Sequence, residues 1–315
     1  AVGFSALLQK APDLARRSRY QMAGLVSPIG YLSPCYTAPS VSTNNWPLVR
    51  TRLKTLARLG VAVRGHGLLC PRRPYLPQWM GGAARRSNVW IGNLPQTPSH
   101  AREKTWLRQI YNACQYTRGL VICQDVISQV FGPAGFKPIG LAGDAFALAR
   151  EADPETPKFV NEVLPISDRH WDVLFSRLDT FDPDGLSVQI HADIDADFDE
   201  IAQRTIAIGN RAREAGLRFH VSEVQIPVDR RDFDLFDRQA EAHRILFEAA
   251  VEAKAECYIV WGDHDGVARV PRTNRKTYSA GFHDNKLPVS FALKPAMARL
   301  LAHPRRTHRH VEHVG

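Results

Sequence analysis

Six short apolar runs in this chain each carry, or end in, groups able to do chemistry. Val61 to Leu69 holds Arg64 and His66. Gly119 to Ile127 holds Asp125 and runs into Ser128 and Gln129. Lys158 to Leu164 holds Asn161 and Glu162, and Leu186 to His191 holds Gln189 and His191. Arg218 to Ile226 holds Ser222, Glu223 and Gln225. Glu256 to Gly262 ends at Trp261, with Asp263, His264 and Asp265 beyond it. Taken singly, each has an ordinary reading: a strand-end glutamate as a surface or salt-bridge residue, a lone histidine as a satisfied buried one. Brought to one mouth, they suit a hydroxyl-rich ligand such as a sugar. Amides and carboxylates match hydroxyls, and an indole face matches sugar C–H groups. Retaining cleavage of a glycosidic bond needs two carboxyls about 5 Å apart, one to attack the anomeric carbon and one to donate and then remove a proton. Glu223 has the type and place for the attack. The run ending at Gln129 offers no equally placed second carboxylate.

The elements that must position these groups alternate. Helical segments Pro47 to Leu59, Arg102 to Tyr116, Asp144 to Glu151, Asp168 to Leu178, Asp197 to Ala215 and Phe236 to Lys254 separate the apolar runs, and Leu293 to Ala302 reads as a closing helix. Apolar runs with little polar alternation suit strands covered on both faces, and strict β/α alternation implies crossover units of a parallel sheet. The expectation is a single (β/α)8 TIM barrel over residues 1–302, with its site at the C-terminal strand ends. No glycine-rich phosphate loop argues for a dinucleotide-binding sheet. Gly60, Gly185 and Gly216 fall at helix–strand junctions, where a helix end favours glycine. Residues 1–46 are less regular: Phe4 to Arg17 reads as a helix and Tyr20 to Ser27 as the first strand. The tail, 303–315, is expected to be disordered.

Composition narrows the alternatives. The 315 residues carry a net charge of +9 with 44% hydrophobic residues. The arginines are scattered and come with no nucleic-acid motif, so no nucleic-acid partner is expected. No apolar run approaches the eighteen or so residues of a membrane span, and no signal peptide is visible at the start. The five cysteines form no C-x-x-C pair, which argues against a zinc ribbon or disulfide framework. Asp263-His264-Asp265 and the tail histidines His308, His310 and His313 have metal-ligand types at weak spacing. No metal and no cofactor is expected.

Further motifs appear in order along the chain. Arg64-Gly65-His66-Gly67-Leu68-Leu69 is followed by Pro77-Gln78-Trp79. Asp125-Val126-Ile127-Ser128-Gln129 comes next, then Ala149-Arg150-Glu151-Ala152-Asp153-Pro154 with Lys158-Phe159-Val160-Asn161-Glu162. Asp184-Gly185-Leu186-Ser187-Val188-Gln189-Ile190-His191, His220-Val221-Ser222-Glu223-Val224-Gln225, Trp261-Gly262 and Lys294-Pro295-Ala296 complete the series. Together, over residues 47 to 300, they resemble the glycoside hydrolase family 10, the xylanase family. The resemblance implies Glu223 as nucleophile, with His191 bonded to it and Gln189 beside the acid/base position. It implies His66 and Asn161 as contacts for sugar hydroxyls, Ser128 and Glu162 at family subsite positions, and Trp261 as a platform. An oligo- or polysaccharide, xylan-like, is the implied partner, taken by a monomer outside the cell or in the periplasm.

The departures from the family pattern cluster. Gln129 stands at the acid/base glutamate and Ser128 at the preceding asparagine. Cys70 and Pro71 stand at a Trp and a His, and Gln225 at the aspartate after the nucleophile. A carboxamide cannot deliver a proton, and general acid–base help is worth about 10²- to 10⁴-fold. Three readings follow: a shape-preserving replacement made to trap substrate, a natural carbohydrate-binding relative that has lost hydrolysis, or an active enzyme with another proton source. Glu162 is the nearest such source, with Asp263 and Asp265 behind it. An active or formerly active glycosidase is placed ahead of the binding protein.

Overall fold

The computed structural model describes residues 25–26, 46–58, 62–68, 99–130, 141–164, 167–229, 234–260 and 278–279. Along the chain run β1 (Leu25–Val26), α1 (Trp46–Arg58), β2 (Ala62–Gly65), α2 (Ser99–Thr117), β3 (Cys123–Ser128), α3 (Ala142–Ala152) and β4 (Lys158–Val163). There follow α4 (Asp168–Phe175), α5 (Leu178–Phe181), β5 (Gly185–His191), α6 (Phe198–Glu214), β6 (Arg218–Gln225), β7 (Val228–Asp229), α7 (Asp234–Glu252), β8 (Tyr258–Val260) and β9 (Tyr278–Ser279). Seven strands form one sheet in the order β1-β2-β3-β4-β5-β6-β8. Every pairing in it is parallel, as crossover connections through helices require.

The sheet is strongly curled. Arg64 on β2 donates from Nε to His220 Nδ1 on β6, 3.1 Å away. Four strand spacings in a flat sheet would span about 19 Å, beyond the reach of an arginine. The concave face is therefore the inside of a barrel-like trough. Its wall is parallel β, and its outside is covered by helices.

The two faces differ in chemistry. Val160, Leu186, Val188, Phe219 and Val221 join the apolar cluster between sheet and helices. From the helices, α1 adds Trp46, Val49, Leu53 and Leu56, all fully buried or nearly so, at the three- and four-residue spacing of one helical face. On α6, Gly209 brings the helix so close that a Cβ there would lie 2.7 Å from Ala253 Cβ and 3.0 Å from the Phe219 ring. The inner face is mostly polar.

Several expectations change in detail. Asp168 to Leu178 is not one helix: Ser176 and Arg177 form a turn, and α5 restarts at Leu178. Gly216 does sit at a helix end with φ of +75°, but Gly185 is the first residue of β5. Its reason is space, because a Cβ at 185 would meet the Phe159 ring at 2.3 Å. Phe159 is fully buried and packs against the His220 ring in a tilted pair with centroids 4.3 Å apart. Gly185→Ala is expected to cost about 1–3 kcal/mol through overpacking, read as a lower urea midpoint at unchanged slope. The expected first strand is found at Leu25–Val26, directly beside β2. The antiparallel pair β7–β9 was not anticipated. Phe4 to Arg17, Leu293 to Ala302, the tail from His303, Trp261 and the Asp263–Asp265 group lie outside the described residues. Among the described residues, no helix is long and apolar enough to cross a membrane.

Candidate active site

Asp125 on β3 is the centre of the inner face. Its carboxylate is fully buried. Both Arg64 guanidinium Nη atoms and His66 Nδ1 donate to it at close range. Ser187 Oγ donates to Oδ1 at 3.0 Å and Asn161 Nδ2 lies 3.1 Å from Oδ2. Burial alone would push this carboxyl up, but Arg64 and His66 outweigh it and hold the group below the usual carboxylate value. Burial likewise opposes the Arg64 charge, and Asp125 restores it. The result is a fixed ion pair with hydrogen bonds on all sides, the only tolerable form for buried charge.

From Asp125 a one-way chain of amides leads to the mouth. An ionised carboxylate only accepts, so Asn161 must turn its Nδ2 toward it; that nitrogen also lies 2.9 Å from Ser187 Oγ and 2.8 Å from Ser222 Oγ. Asn161 Oδ1 is then left to accept from Gln189 Nε2 at 2.6 Å, and that nitrogen also reaches Ser128 Oγ at 3.1 Å. Gln189 Oε1 in turn accepts from Gln129 Nε2 at 2.9 Å. The carboxylate thereby orients three side-chain amides in series. At the end of the series Gln129 Oε1 is buried and has no hydrogen-bond partner among the described residues.

Two bulges aim the end residues. Between β3 and β4 the register shifts between Asp125 and Ile127. Between β5 and β6, Val188 pairs with Val221 but Gln189 pairs with Glu223, so Ser222 is the extra residue. Side chains alternate faces along a strand. Without these insertions Asp125 and Ser128 could not both face inward, nor His220 and Glu223. A bulge that re-aims a side chain is a recurrent feature next to active sites. Gln129 itself has φ of +61°, a left-handed backbone that costs a non-glycine residue about 1–2 kcal/mol. Its N–H is held by the Asn161 carbonyl at 2.7 Å.

Glu223 sits beside Gln189 in the paired register. It is 3% exposed, its Oε1 has no hydrogen-bond partner among the described residues, and its Oε2 lies 3.4 Å from His191 Nε2. His191, half-exposed at the rim, is paired with Gln225. Thus the structure brings together Glu223, Gln129, Ser128, Gln189, His191, Asn161 and His66 on one face. Glu162 is different. Asn161 points inward, so Glu162 points to the helix side. It is fully buried there, with its Oε1 accepting from the Val163 N–H at 2.8 Å. Its place as a substitute proton source is corrected accordingly: alternation along β4 turns it away from Gln129. Trp261 lies outside the described residues. Arg64, Asp125, Ser187 and Ser222 emerge as residues that organise the site. Ser187 was findable, since Ser187, Gln189 and His191 repeat at the two-residue period of one strand face.

Below this layer, Arg64, His220, Glu256 and Arg218 form a second chain. Because Arg64 Nε donates to His220 Nδ1, the ring proton is on Nε2 and is donated to Glu256 Oε2 at 3.0 Å. Arg218 adds a bonded fork to the same carboxylate. The Glu256 carboxyl is held down at about 2 against an ordinary 4.5, first by His220 and further by Arg218. A carboxyl with a depressed folded value stabilises fully above its unfolded value and loses that stability as pH falls toward the folded one. Stability should therefore decline between pH 4.5 and about 2, and Glu256→Gln should flatten that decline, as followed by urea midpoints across the range.

Among the described residues, no group of three or more His, Cys, Asp or Glu side chains is placed to hold a metal ion. Among the described residues, the inner face offers two acceptor oxygens without a hydrogen-bond partner, on Glu223 and Gln129, at the end of a rigid polar scaffold.

No known protein-family profile matches the chain. An endo-1,4-beta-xylanase A of Thermotoga neapolitana is 23% identical in an alignment 225 residues long that covers 66% of this chain and 20% of that protein. The chain thus spans about a fifth of the length of this curated relative. Among solved structures, xylanase 10B of Thermotoga petrophila in complex with xylobiose has a TM-score of 0.73 at 19% identity, covering 93% of this chain and 88% of that one. A thermostable mutant of a xylanase of Cellvibrio japonicus has a TM-score of 0.75 at 16% identity, covering 93% and 92%. The trough of parallel strands and outer helices is therefore the fold of the family 10 xylanases, and the ordered motifs resemble theirs.

Proposed function

We propose that the chain is a divergent family 10 glycoside hydrolase with a closed (β/α)8 barrel. It acts on a xylan-like, β-linked glycan or glycoside with retention, Glu223 serving as nucleophile and Gln129 standing in the acid/base place. The observation that carries this reading is the pair of buried, unpartnered oxygens on Glu223 and Gln129, set on one inner face by two bulges. An oxygen with no protein partner in so polar a scaffold is placed for a ligand. His191 holds the other Glu223 oxygen and orients the carboxylate. Asn161, whose amide is fully engaged within the protein, positions Gln189 rather than gripping sugar directly. The occupant is an oligo- or polysaccharide or a smaller glycoside, bound by one copy of the chain.

The Gln129 amide favours a second reading, a carbohydrate-binding relative that no longer cleaves. A mechanism-based probe separates the two. Incubation with 2,4-dinitrophenyl 2-deoxy-2-fluoro-β-xylobioside should add one fluorosugar to the intact mass, mapped by peptide sequencing to Glu223 and absent in Glu223→Gln. No adduct on either the native chain or Gln129→Glu, with xylo-oligosaccharide binding still measured by calorimetry, would establish the binding protein instead.

A further inference from the structure

The amide chain fixes which end of Gln129 faces the ligand. Asp125 can only accept. Asn161 must give it an N–H, Gln189 must give Asn161 one, and Gln129 must give Gln189 one. Reversing Gln129 would set its oxygen against Gln189 Oε1, acceptor against acceptor. Gln129 therefore presents Oε1, an acceptor with no proton to give, and that atom is buried and without a hydrogen-bond partner among the described residues. Glu162, the carboxyl next to Asn161 in sequence, is turned to the helix side and bonded to its own neighbour's N–H. On the described inner face, then, a nucleophile faces a leaving group that receives no proton.

From this we infer that the site takes β-glycosides whose aglycone departs as a stable oxyanion, an aryl, acyl or phosphoryl group, rather than an alkyl or sugar alkoxide. The inference rests on the retaining reaction proposed for Glu223. In the first step a Glu223 carboxylate oxygen forms a bond to the anomeric carbon. The bond from that carbon to the aglycone oxygen breaks, and its electron pair leaves with the aglycone as an anion. The carboxylate's negative charge has passed to the aglycone, and no acid is used. In the second step water attacks the same carbon, and the pair of the carbon–Glu223 bond returns to the carboxylate. The proton lost by the water goes to solvent or to the departed anion. Gln129 Oε1 accepts a hydrogen bond from that water and so orients it, but does not take its proton. The second step is slow with water and faster with an anion that has no proton to lose.

The test is a series of aryl β-xylobiosides, from dinitrophenyl through nitrophenyl and phenyl to methyl, assayed on the native protein. kcat/KM should fall steeply as the leaving group becomes more basic. The phenyl and methyl members should lie about 10²- to 10⁴-fold further below the dinitrophenyl one than for an enzyme that has its general acid. Azide should raise kcat for the dinitrophenyl substrate and yield β-xylobiosyl azide. A flat series together with no azide product would overturn the inference, since another acid would then be at work, while a Glu223 adduct with the fluorosugar probe would leave the retaining reaction standing. Failure of the probe to label Glu223 would overturn the reaction itself. A steep series with labelling and azide product supports both.

Discussion

Asp125→Ala should be the most destructive single change in this protein. It removes one carboxylate and strands a fully buried guanidinium, since Arg64 has no exposure to solvent. Removing one partner of a buried ion pair costs about 3–5 kcal/mol, a large part of the 5–15 kcal/mol by which a domain is stable. His66 Nδ1, Ser187 Oγ and one contact of Asn161 lose their acceptor as well. A drop in Tm on the order of 10 °C or more follows, read by circular dichroism. The double change Arg64→Met with Asp125→Leu should recover much of that loss, because an apolar pair of similar volume removes the charge left without a partner. Strict additivity in that cycle would show that Asp125 is not the electrostatic anchor described here. Function should suffer even in the stabilised double variant. With Asp125 gone, nothing fixes the direction of the Asn161, Gln189 and Gln129 amides, and the glycosylation of Glu223 should slow although Glu223 is untouched.

How far the site could be read from sequence depends on the residue. His191 and Gln189 were legible because Ser187, Gln189 and His191 follow the simple two-residue period of β5. Glu223 was found as a type and a motif position, yet its orientation was not legible. His220, Ser222 and Glu223 cannot all face one side of a regular strand, and the insertion of Ser222 against β5 that resolves this exists only in the pairing. Asp125 shows the same limit. Its role comes from Arg64, Asn161 and Ser187 on three other strands and from His66 just past β2, and no spacing in the chain records that meeting. Glu162 was misplaced as a proton source because adjacency to Asn161 in sequence means the opposite face in a strand. Gly185 was read as a helix cap when its constraint is the ring of Phe159. The fold was easier. Alternating apolar runs and amphipathic helices follow from local pattern, while the phase of each strand follows from tertiary contact.

Gln129→Glu should restore what the site lacks, and the amide chain predicts how. Gln189 Nε2 is already engaged by Asn161 Oδ1 and Ser128 Oγ, so its Oε1 continues to face position 129. An ionised glutamate there would set a charged oxygen against Gln189 Oε1 in a buried place, whereas a protonated one is neutral there and keeps its proton for the leaving group. Both burial and this contact favour the protonated form, as a general acid requires. Glycosides with poor leaving groups should therefore gain about 10²- to 10⁴-fold in kcat/KM, and dinitrophenyl glycosides should gain little in the first step. The pH profile of kcat/KM for phenyl β-xylobioside should acquire a descending alkaline limb that the native protein lacks, because the new acid must keep its proton. Azide stimulation should fade as the glutamate begins to take the proton from water. The same backbone must accept the change, since residue 129 keeps its φ of +61° and glutamate pays no more for that conformation than glutamine. A gain in rate without the alkaline limb would mean that the new carboxyl acts through shape rather than proton transfer. No gain for any phenyl or alkyl glycoside, with labelling of Glu223 intact, would mean that position 129 does not face the leaving group.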